Sequence, residues 1–246
     1  MSGHNKWSTI KRKKGALDAK RSKIFSKLAK EISIAVKEGG GADPDYNSKL
    51  RIAVQNAKGV NMPKDNIERA IKKGDQDGAN FSELTFEGYA PHGIALFVEC
   101  LSDNNNRTVS NVRASFNRFS GSLGTNGSLT FLFTRKGVFE IPLSEIKNFD
   151  EFELEIIDAG AEDIETDDET VRITTAMEDF GSVSKKLEEL KINPSNAELQ
   201  RIANDTKTIP VSEAKTVLKL IDFLEDDDDV QKVFHNMEIT EEMFDE

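Results

Sequence analysis

The apolar residues of this chain change their period once, near residue 80, and that change dictates a helical front followed by mixed helix and sheet. Before it, Ile24, Leu28 and Ile32, joined by Phe25, Ala35 and Val36, recur at the three-and-four spacing of one helix face, and Gly39-Gly40-Gly41 ends the run. A second helix is expected over residues 50–58, with Leu50, Val54 and Ala57 inward. Pro63 restarts the chain for a third, because proline is tolerated at a helix start, and Ile67, Ala70 and Ile71 form its apolar stripe up to Gly74. Asp75-Gln76-Asp77-Gly78 has no periodicity and reads as a linker.

Beyond the linker the period is two. Strands are expected over 86–91 and 94–101 around a turn at Pro91-His92-Gly93, then a helix over 108–119 with Val109, Val112, Phe116 and Phe119 inward, then a strand over 128–133. Residues 137–204 read strand, helix, strand, strand, helix, strand (138–142, 149–159, 163–166, 170–174, 177–190, 198–202), the ferredoxin-like order, with Asp167-Asp168-Glu169 as a hairpin turn. A helix over 212–224 and a strand over 230–235 remain. The first α+β unit has only ββαβ and needs a second helix and strand to cover its sheet, so the C-terminal segment is expected to return to it. The expected class is therefore α+β, a helical N-terminal domain plus two α+β domains, one ferredoxin-like and inserted in the other. The expected boundaries are 1–76 (basic arm and three helices), 79–134 with 207–246 (discontinuous), and 137–204 (inserted).

The net charge of −11 hides a separation of sign. Residues 1–74 carry eighteen Lys/Arg against seven Asp/Glu, net +11, whereas residues 75–246 carry fifteen against thirty-seven, net −22. Such asymmetry points to a polyanion partner for one end. The run Lys6-Trp7-Ser8-Thr9-Ile10-Lys11-Arg12-Lys13-Lys14 interleaves compact charges with an indole that can stack on a base or cover the helices. Lys20, Arg21, Lys23, Lys27 and Lys30 continue the charge along the helix opposite Ile24, Leu28 and Ile32, and Arg69, Lys72 and Lys73 carry it on the third helix. The residues expected to bind nucleic acid are Lys6, Trp7, Lys11, Arg12, Lys13, Lys14, Lys20, Arg21, Lys23 and Lys27. No zinc ligands, no zipper after the basic run and no clear base-reading helix argue for sequence-specific DNA recognition.

Other features read as structure. Asp103-Asn104-Asn105-Asn106-Arg107-Thr108 lies where a strand hands over to a helix, as a helix cap whose Arg107 can hold a phosphate or a protein carboxylate. Gly121-Ser122-Leu123-Gly124-Thr125-Asn126-Gly127 follows a helix and lacks a phosphate-loop lysine, so it reads as a turn. The acidic run Asp226–Asp229 has no calcium-loop glycine and reads as a solvated helix end. The lone Cys100 allows no intramolecular disulfide and reads as a buried, inert thiol. His4, His92 and His235 form no metal-binding pair, and no nucleophile elbow occurs, so no catalytic residue, metal, cofactor or small-molecule substrate is expected. No apolar run approaches the roughly 20 residues of a membrane helix and the N-terminus has no apolar signal core, which leads to the expectation of a cytoplasmic protein; a monomer is expected besides.

Several blocks of sequence carry a resemblance. Gly3-His4-Asn5-Lys6-Trp7-Ser8-Thr9-Ile10-Lys11, Asp18-Ala19-Lys20-Arg21-Ser22-Lys23-Ile24-Phe25 and Asn61-Met62-Pro63-Lys64-Asp65-Asn66-Ile67-Glu68-Arg69-Ala70-Ile71 closely resemble the YebC/PmpR family, which includes the mitochondrial translational activator of cytochrome c oxidase. Glu87-Gly88-Tyr89, Glu99-Cys100-Leu101-Ser102-Asp103-Asn104, Asn106-Arg107-Thr108 and Leu224-Glu225-Asp226 agree in order. Asn105 and residues 201–209 depart from the family pattern. The resemblance implies three domains with one inserted in another, and a basic segment that falls on Lys6, Lys11, Arg12, Lys20, Arg21 and Lys23. It also implies a role in gene expression. One reading is a ribosome-associated translation factor that binds ribosomal RNA and relieves stalling at stretches such as proline runs. The alternative is a DNA-binding transcriptional regulator, and a protein scaffold with no nucleic acid is the third.

Overall fold

The apolar run over residues 94–98 becomes the heart of a central strand buried on both faces, and one of the two sheets among the described residues is built around it. The computed structural model describes residues 18–77 and 81–244, with the side chains of 18–20, 77, 241 and 244 left aside. Strand β1 (Ser82–Tyr89) pairs antiparallel with β2 (Ala95–Ser102), in register from Ser82 opposite Ser102 to Tyr89 opposite Ala95. The connection turns at Pro91-His92-Gly93 as expected, with positive φ at His92 and Gly93 and the Ala90 amide donating to the Ile94 carbonyl. Helix α4 (Asn105–Arg118) follows, then a two-residue strand β3 (Ser122–Leu123) against Gly88 and Tyr89. A Cβ at Gly88 would sit 2.5 Å from the Ser122 carbonyl oxygen, so the close approach of β3 requires a glycine there.

The third strand of this sheet is thus not where the apolar pattern put it. Residues 128–133 do not form an extended strand. Thr130–Leu132 is a 3-10 turn, and the pairing falls to Ser122–Leu123 inside the glycine-rich turn. The buried Glu87 carboxylate explains the switch, because it accepts the amides of Gly127 and Leu129 and folds that segment back on itself.

Helix α7 (Val211–Glu225) and strand β8 (Val230–His235) complete the unit, with β8 antiparallel to β2 and the sheet order β3-β1-β2-β8. Leu96 and Val98 point into a core with Val112 and Phe116 of α4 and Val217 and Ile221 of α7. Ala95 and Phe97, alternating with them, pack on the other face with Leu129, Phe133 and Phe234. Two covered faces explain why 94–98 reads as a continuous apolar run instead of an alternating one.

The second sheet, order β5-β6-β4-β7, comprises β4 (Phe133–Pro142), β5 (Ala161–Thr166), β6 (Thr170–Ala176) and β7 (Asn196–Ala203), with helices α5 (Phe149–Asp158) and α6 (Phe180–Glu189). Each helix lies between two strands in the chain, and the first strand of the set sits between the third and the fourth, which is the ferredoxin-like arrangement. Its core joins Phe139, Ile141 and Ile173 of the sheet to Phe152, Ile156 and Leu187 of the helices. The turn at Asp167 forms as expected, its carboxylate accepting the amides of Glu169 and Thr170.

The front of the chain forms α1 (Asp18–Glu38), α2 (Ser48–Gly59) and α3 (Lys64–Asp77). The third runs past Gly74 to Asp77 instead of ending at the glycine, so Asp75-Gln76-Asp77 is helix and not linker. Gly74 is there for closeness, since a Cβ would meet the Ser33 carbonyl oxygen at 2.6 Å. Buried Asn47 caps α2 by accepting the Leu50 amide and donates to the carbonyls of Ala35 and Gly41.

Among the described residues, those up to Lys27 with 81–134 and 202–244 form one compact unit, and Leu28 to Asp77 with Arg135–Arg201 form another. Within the second unit, the side-chain amide of Asn56 on α2 both donates to the carbonyl and accepts from the amide of Ala197 on β7, at 2.9 and 2.8 Å. Replacing Asn56 by Ala leaves both groups of Ala197 buried without those partners, and the expected loss is about 1–3 kcal/mol in denaturant unfolding. A loss below the error of that measurement would show the contact to be dispensable.

Candidate nucleic-acid interface

The expected binding residues separate by what the fold does with them. Lys6, Trp7, Lys11, Arg12, Lys13 and Lys14 lie outside the described residues, and Lys20 falls on α1 with its side chain outside them. Arg21 is exposed, with no ion-pair partner among the described residues. Lys23 donates to both the carboxylate and the carbonyl of Asp226 at 3.0 Å, and Lys27 donates to the Glu225 carbonyl at 2.8 Å. Both ammonium groups therefore sit at the C-terminal end of α7, where the last carbonyls and the helix dipole present negative charge.

The apolar stripe of α1 fades toward its N-terminus. Ile32 is fully buried, whereas Ile24, expected inward, is 44% exposed. Periodicity reported the helix correctly but not where its cover ends.

A second group of cations lies on α3. Ile67, Ala70 and Gly74 are buried, and the Ser33 hydroxyl donates to the Ala70 carbonyl. Arg69, Lys72 and Lys73 consequently face solvent at positions i, i+3 and i+4 of one face. None of the three has a carboxylate within 4 Å among the described residues, and Glu68 beside them is within 3.5 Å of Lys64. Tyr46, in the loop before α2, is 89% exposed. Sequence reasoning passed over it because one tyrosine among Gly, Asp and Pro residues has no periodicity to betray whether it is covered.

The Asp103–Thr108 segment is a helix cap, as expected, and Arg107 holds a protein carboxylate. Asn104 accepts the Arg107 amide at 3.1 Å, and the guanidinium grips both oxygens of Asp229 at 2.6–3.0 Å and Asp103 at 2.8 Å. The hydrogen bond to Asp229, then that to Asp103, raises the Arg107 pKa above its usual range. Asp229 also accepts the hydroxyls of Thr108 and Ser102. The acidic run is therefore a solvated helix end only in part: Asp226 is exposed and meets Lys23, Asp227 accepts from Asn111, and Asp229 is buried against Arg107.

Cys100 lies on β2 with its thiol buried, and burial first, then the charges of Asp227 and Asp229, push its pKa up to about 12. The raised value means folding favours the protonated thiol, so this contribution is intact below the ordinary thiol range and is lost as pH climbs through it toward about 12. At pH 8 the native thiol is expected to resist iodoacetamide for hours while the denatured chain reacts within minutes; equal rates would contradict this burial. His92 Nδ1 lies 3.1 Å from the Glu213 carboxylate. Among the described residues no group of three or more His, Cys, Asp or Glu side chains is placed to hold a metal ion, and no helix is long and apolar enough to cross a membrane.

Residues 5–77 match the TACO1/YebC protein N-terminal domain, and residues 81–237 match the TACO1/YebC second and third domain. The chain belongs to the TACO1/YebC family. Its relatives include a probable transcriptional regulatory protein of Amoebophilus asiaticus, 52% identical over 96% of this chain and 98% of that one. Another, of Geobacillus kaustophilus and with the same description, is 50% identical over 97% and 98%. The crystal structure of a conserved hypothetical protein from Aquifex aeolicus matches with a TM-score of 0.81 at 42% identity, covering 93% of this chain and 95% of that one. The resemblance read from the opening blocks and the mixed α+β fold with a ferredoxin-like unit are thus both found in this TACO1/YebC protein.

Proposed function

We propose that this TACO1/YebC protein is a non-enzymatic, nucleic-acid-binding regulator of gene expression, and more specifically a cytoplasmic, monomeric translation factor that binds ribosomal RNA and relieves stalling. The observation that carries the reading is the separation of charge, net +11 over residues 1–74 against −22 over the rest. A positive front on an otherwise negative chain is drawn to phosphate and kept from binding polyanions over its whole surface. The arm at 6–14, Lys20 and Arg21 make the principal contacts. Lys23 and Lys27 join them by exchanging the α7 terminus for phosphate.

Positioning, not bond chemistry, is the means of action: an arm that fills an RNA crevice holds neighbouring groups in a productive arrangement. In a purified translation system, a proline-run reporter is expected to recover synthesis when the protein is added, while a reporter without the run is unchanged. Equal effects on both reporters, or none, would overturn the stalling role.

The description of the relatives favours a second reading, a DNA-binding transcriptional regulator. That reading requires a specific duplex whose complex survives excess competitor DNA. Binding that competitor removes is the generic affinity of a basic surface.

A further inference from the structure

We propose that the outer face of α5, with Leu154 and Ile157 at its centre, docks a basic amphipathic segment of another protein, one that presents aliphatic residues flanked by lysine or arginine. The inference goes beyond the nucleic-acid reading above and does not depend on it.

The face exists because α5 has more apolar residues than its core uses. Phe149, Phe152 and Ile156 lie on one side of the helix and join the core of the ferredoxin-like unit. Leu154 and Ile157, one turn apart on the opposite side, are 67% and 50% exposed. Around them on that side, at i−4, i−3 and i+4 from Leu154, stand the exposed residues Asp150, Glu151 and Asp158. An apolar centre inside a charged rim is the make-up of a docking surface.

The rim has one sign. Helix α5 carries five acids, Asp150, Glu151, Glu153, Glu155 and Asp158, and no lysine or arginine. Lys186 of α6 meets Glu155 at 2.8 Å on the flank of this face. Among the described residues no cation lies within 4 Å of Asp150, Glu151 or Asp158. The imbalance is sharpest at the C-terminal end of the helix, where the last carbonyls and the dipole already present negative charge and favour a cation. Asp158 occupies that last turn instead. A second carboxylate adjoins the same end, since a Cβ at Gly160 would stand 3.2 Å from an Asp179 carboxylate oxygen, and Asp179 also has no cation within 4 Å among the described residues.

These charges choose the occupant. Phosphate, whether in a nucleic acid or an anionic membrane, is repelled. A second copy docked through the same face would set its acidic rim against an identical one. A basic side chain meets both demands at once, because its aliphatic stem can lie along Leu154 and Ile157 while its head reaches Asp158 and Asp179. The surrounding unit steers in the same sense: residues 137–204 carry eighteen Asp/Glu against six Lys/Arg, net −12.

The test uses the full-length protein and three fluorescein-labelled helical peptides of about four turns, read by anisotropy across a KCl titration. The first has leucines on one face and lysines elsewhere, the second has glutamine for each leucine, and the third has glutamate for each lysine. The first is expected to bind at least about 10-fold tighter than either of the others. Leu154→Gln/Ile157→Gln, which leaves the charge of the protein unchanged, should weaken it at least about 10-fold. Asp158→Asn/Asp179→Asn should weaken it at least about 5-fold with a shallower salt dependence, and Asp158→Asn alone gives a separate reading if the pair melts early. Asp168→Asn/Glu169→Gln removes the same two charges at the opposite end of β6 from Asp179, and should change binding by less than about 2-fold. Binding that survives Leu154→Gln/Ile157→Gln, or that falls equally in the two charge variants, would reduce the effect to general attraction by an acidic body and sink the inference. So would self-association of the wild type that Leu154→Gln/Ile157→Gln abolishes, which assigns the face to a second copy. If the first peptide is not bound at all, the docking face fails, while the nucleic-acid reading is judged separately by ribosome sedimentation.

Discussion

Reversing Lys11, Arg12, Lys20 and Arg21 to Glu is expected to lower ribosome affinity by about 100-fold or more at physiological salt and to abolish rescue of a proline-run reporter. Each neutralised phosphate adds close to one unit of salt slope, so removing four cations, each replaced by a repulsive carboxylate, takes away most of an electrostatically driven association. Arg21 is exposed and unpaired among the described residues, so its reversal leaves no carboxylate of the protein stranded. Thermal unfolding of Arg21→Glu alone should accordingly be little changed. Lys23 and Lys27 are left out of this variant because their reversal would also place like charge against the end of α7 and mix folding with binding. If rescue survives the four reversals, the basic front is not the working surface, and the scaffold reading gains instead.

Asp229→Ala is expected to destabilise its unit by about 2–3 kcal/mol, while Asp226→Ala, three residues earlier, should change stability by no more than about 1 kcal/mol. The contrast follows from burial. Asp229 has 4% of its side chain exposed and accepts from Arg107, Thr108 and Ser102, the last two fully buried. Deleting it leaves a void lined with hydroxyls and separates Arg107 from its main partner. Full removal of a buried ion-pair partner costs about 3–5 kcal/mol, and the lower figure allows for the half-exposed guanidinium, which water can reach. Asp226 and Lys23 are both well exposed, and a solvent-screened pair is worth little. Scanning calorimetry should show the Asp229 variant melting about 4–12 °C early. Equal midpoints for the two variants would mean that the buried network is not what holds β8 to the start of α4.

The same four aspartates mark where sequence stopped being informative. A run of identical acids has no pattern to distinguish one member from the next, so Asp229 looked as solvated as Asp226. Only the fold, by carrying β8 alongside β2 and bringing residue 229 to Arg107, makes one a buried partner and the other a surface charge. Helices α1, α2 and α3 and the ferredoxin-like order were legible because each repeats its apolar residues at the spacing its geometry demands. Strand β3 was not, since two residues cannot display a period and their pairing depends on Gly88 and on the distant Glu87 carboxylate. The cations of α1 were legible as a charged face, but charge alone does not reveal that Lys23 and Lys27 reach α7 while Arg21 does not. Tyr46 shows the same limit from the other side, an aromatic whose exposure is a property of the fold.

The positive front of this TACO1/YebC protein is proposed to bind ribosomal phosphate. Its most direct test is sedimentation of the full-length protein through sucrose with purified ribosomes, from about 50 to about 500 mM KCl, for the wild type and for the variant reversed at Lys11, Arg12, Lys20 and Arg21. Wild-type protein should pellet with ribosomes at low salt and be stripped steeply as salt rises, and the reversed variant should stay in the supernatant throughout. Association that is indifferent to salt, or equal for the two proteins, would contradict the account.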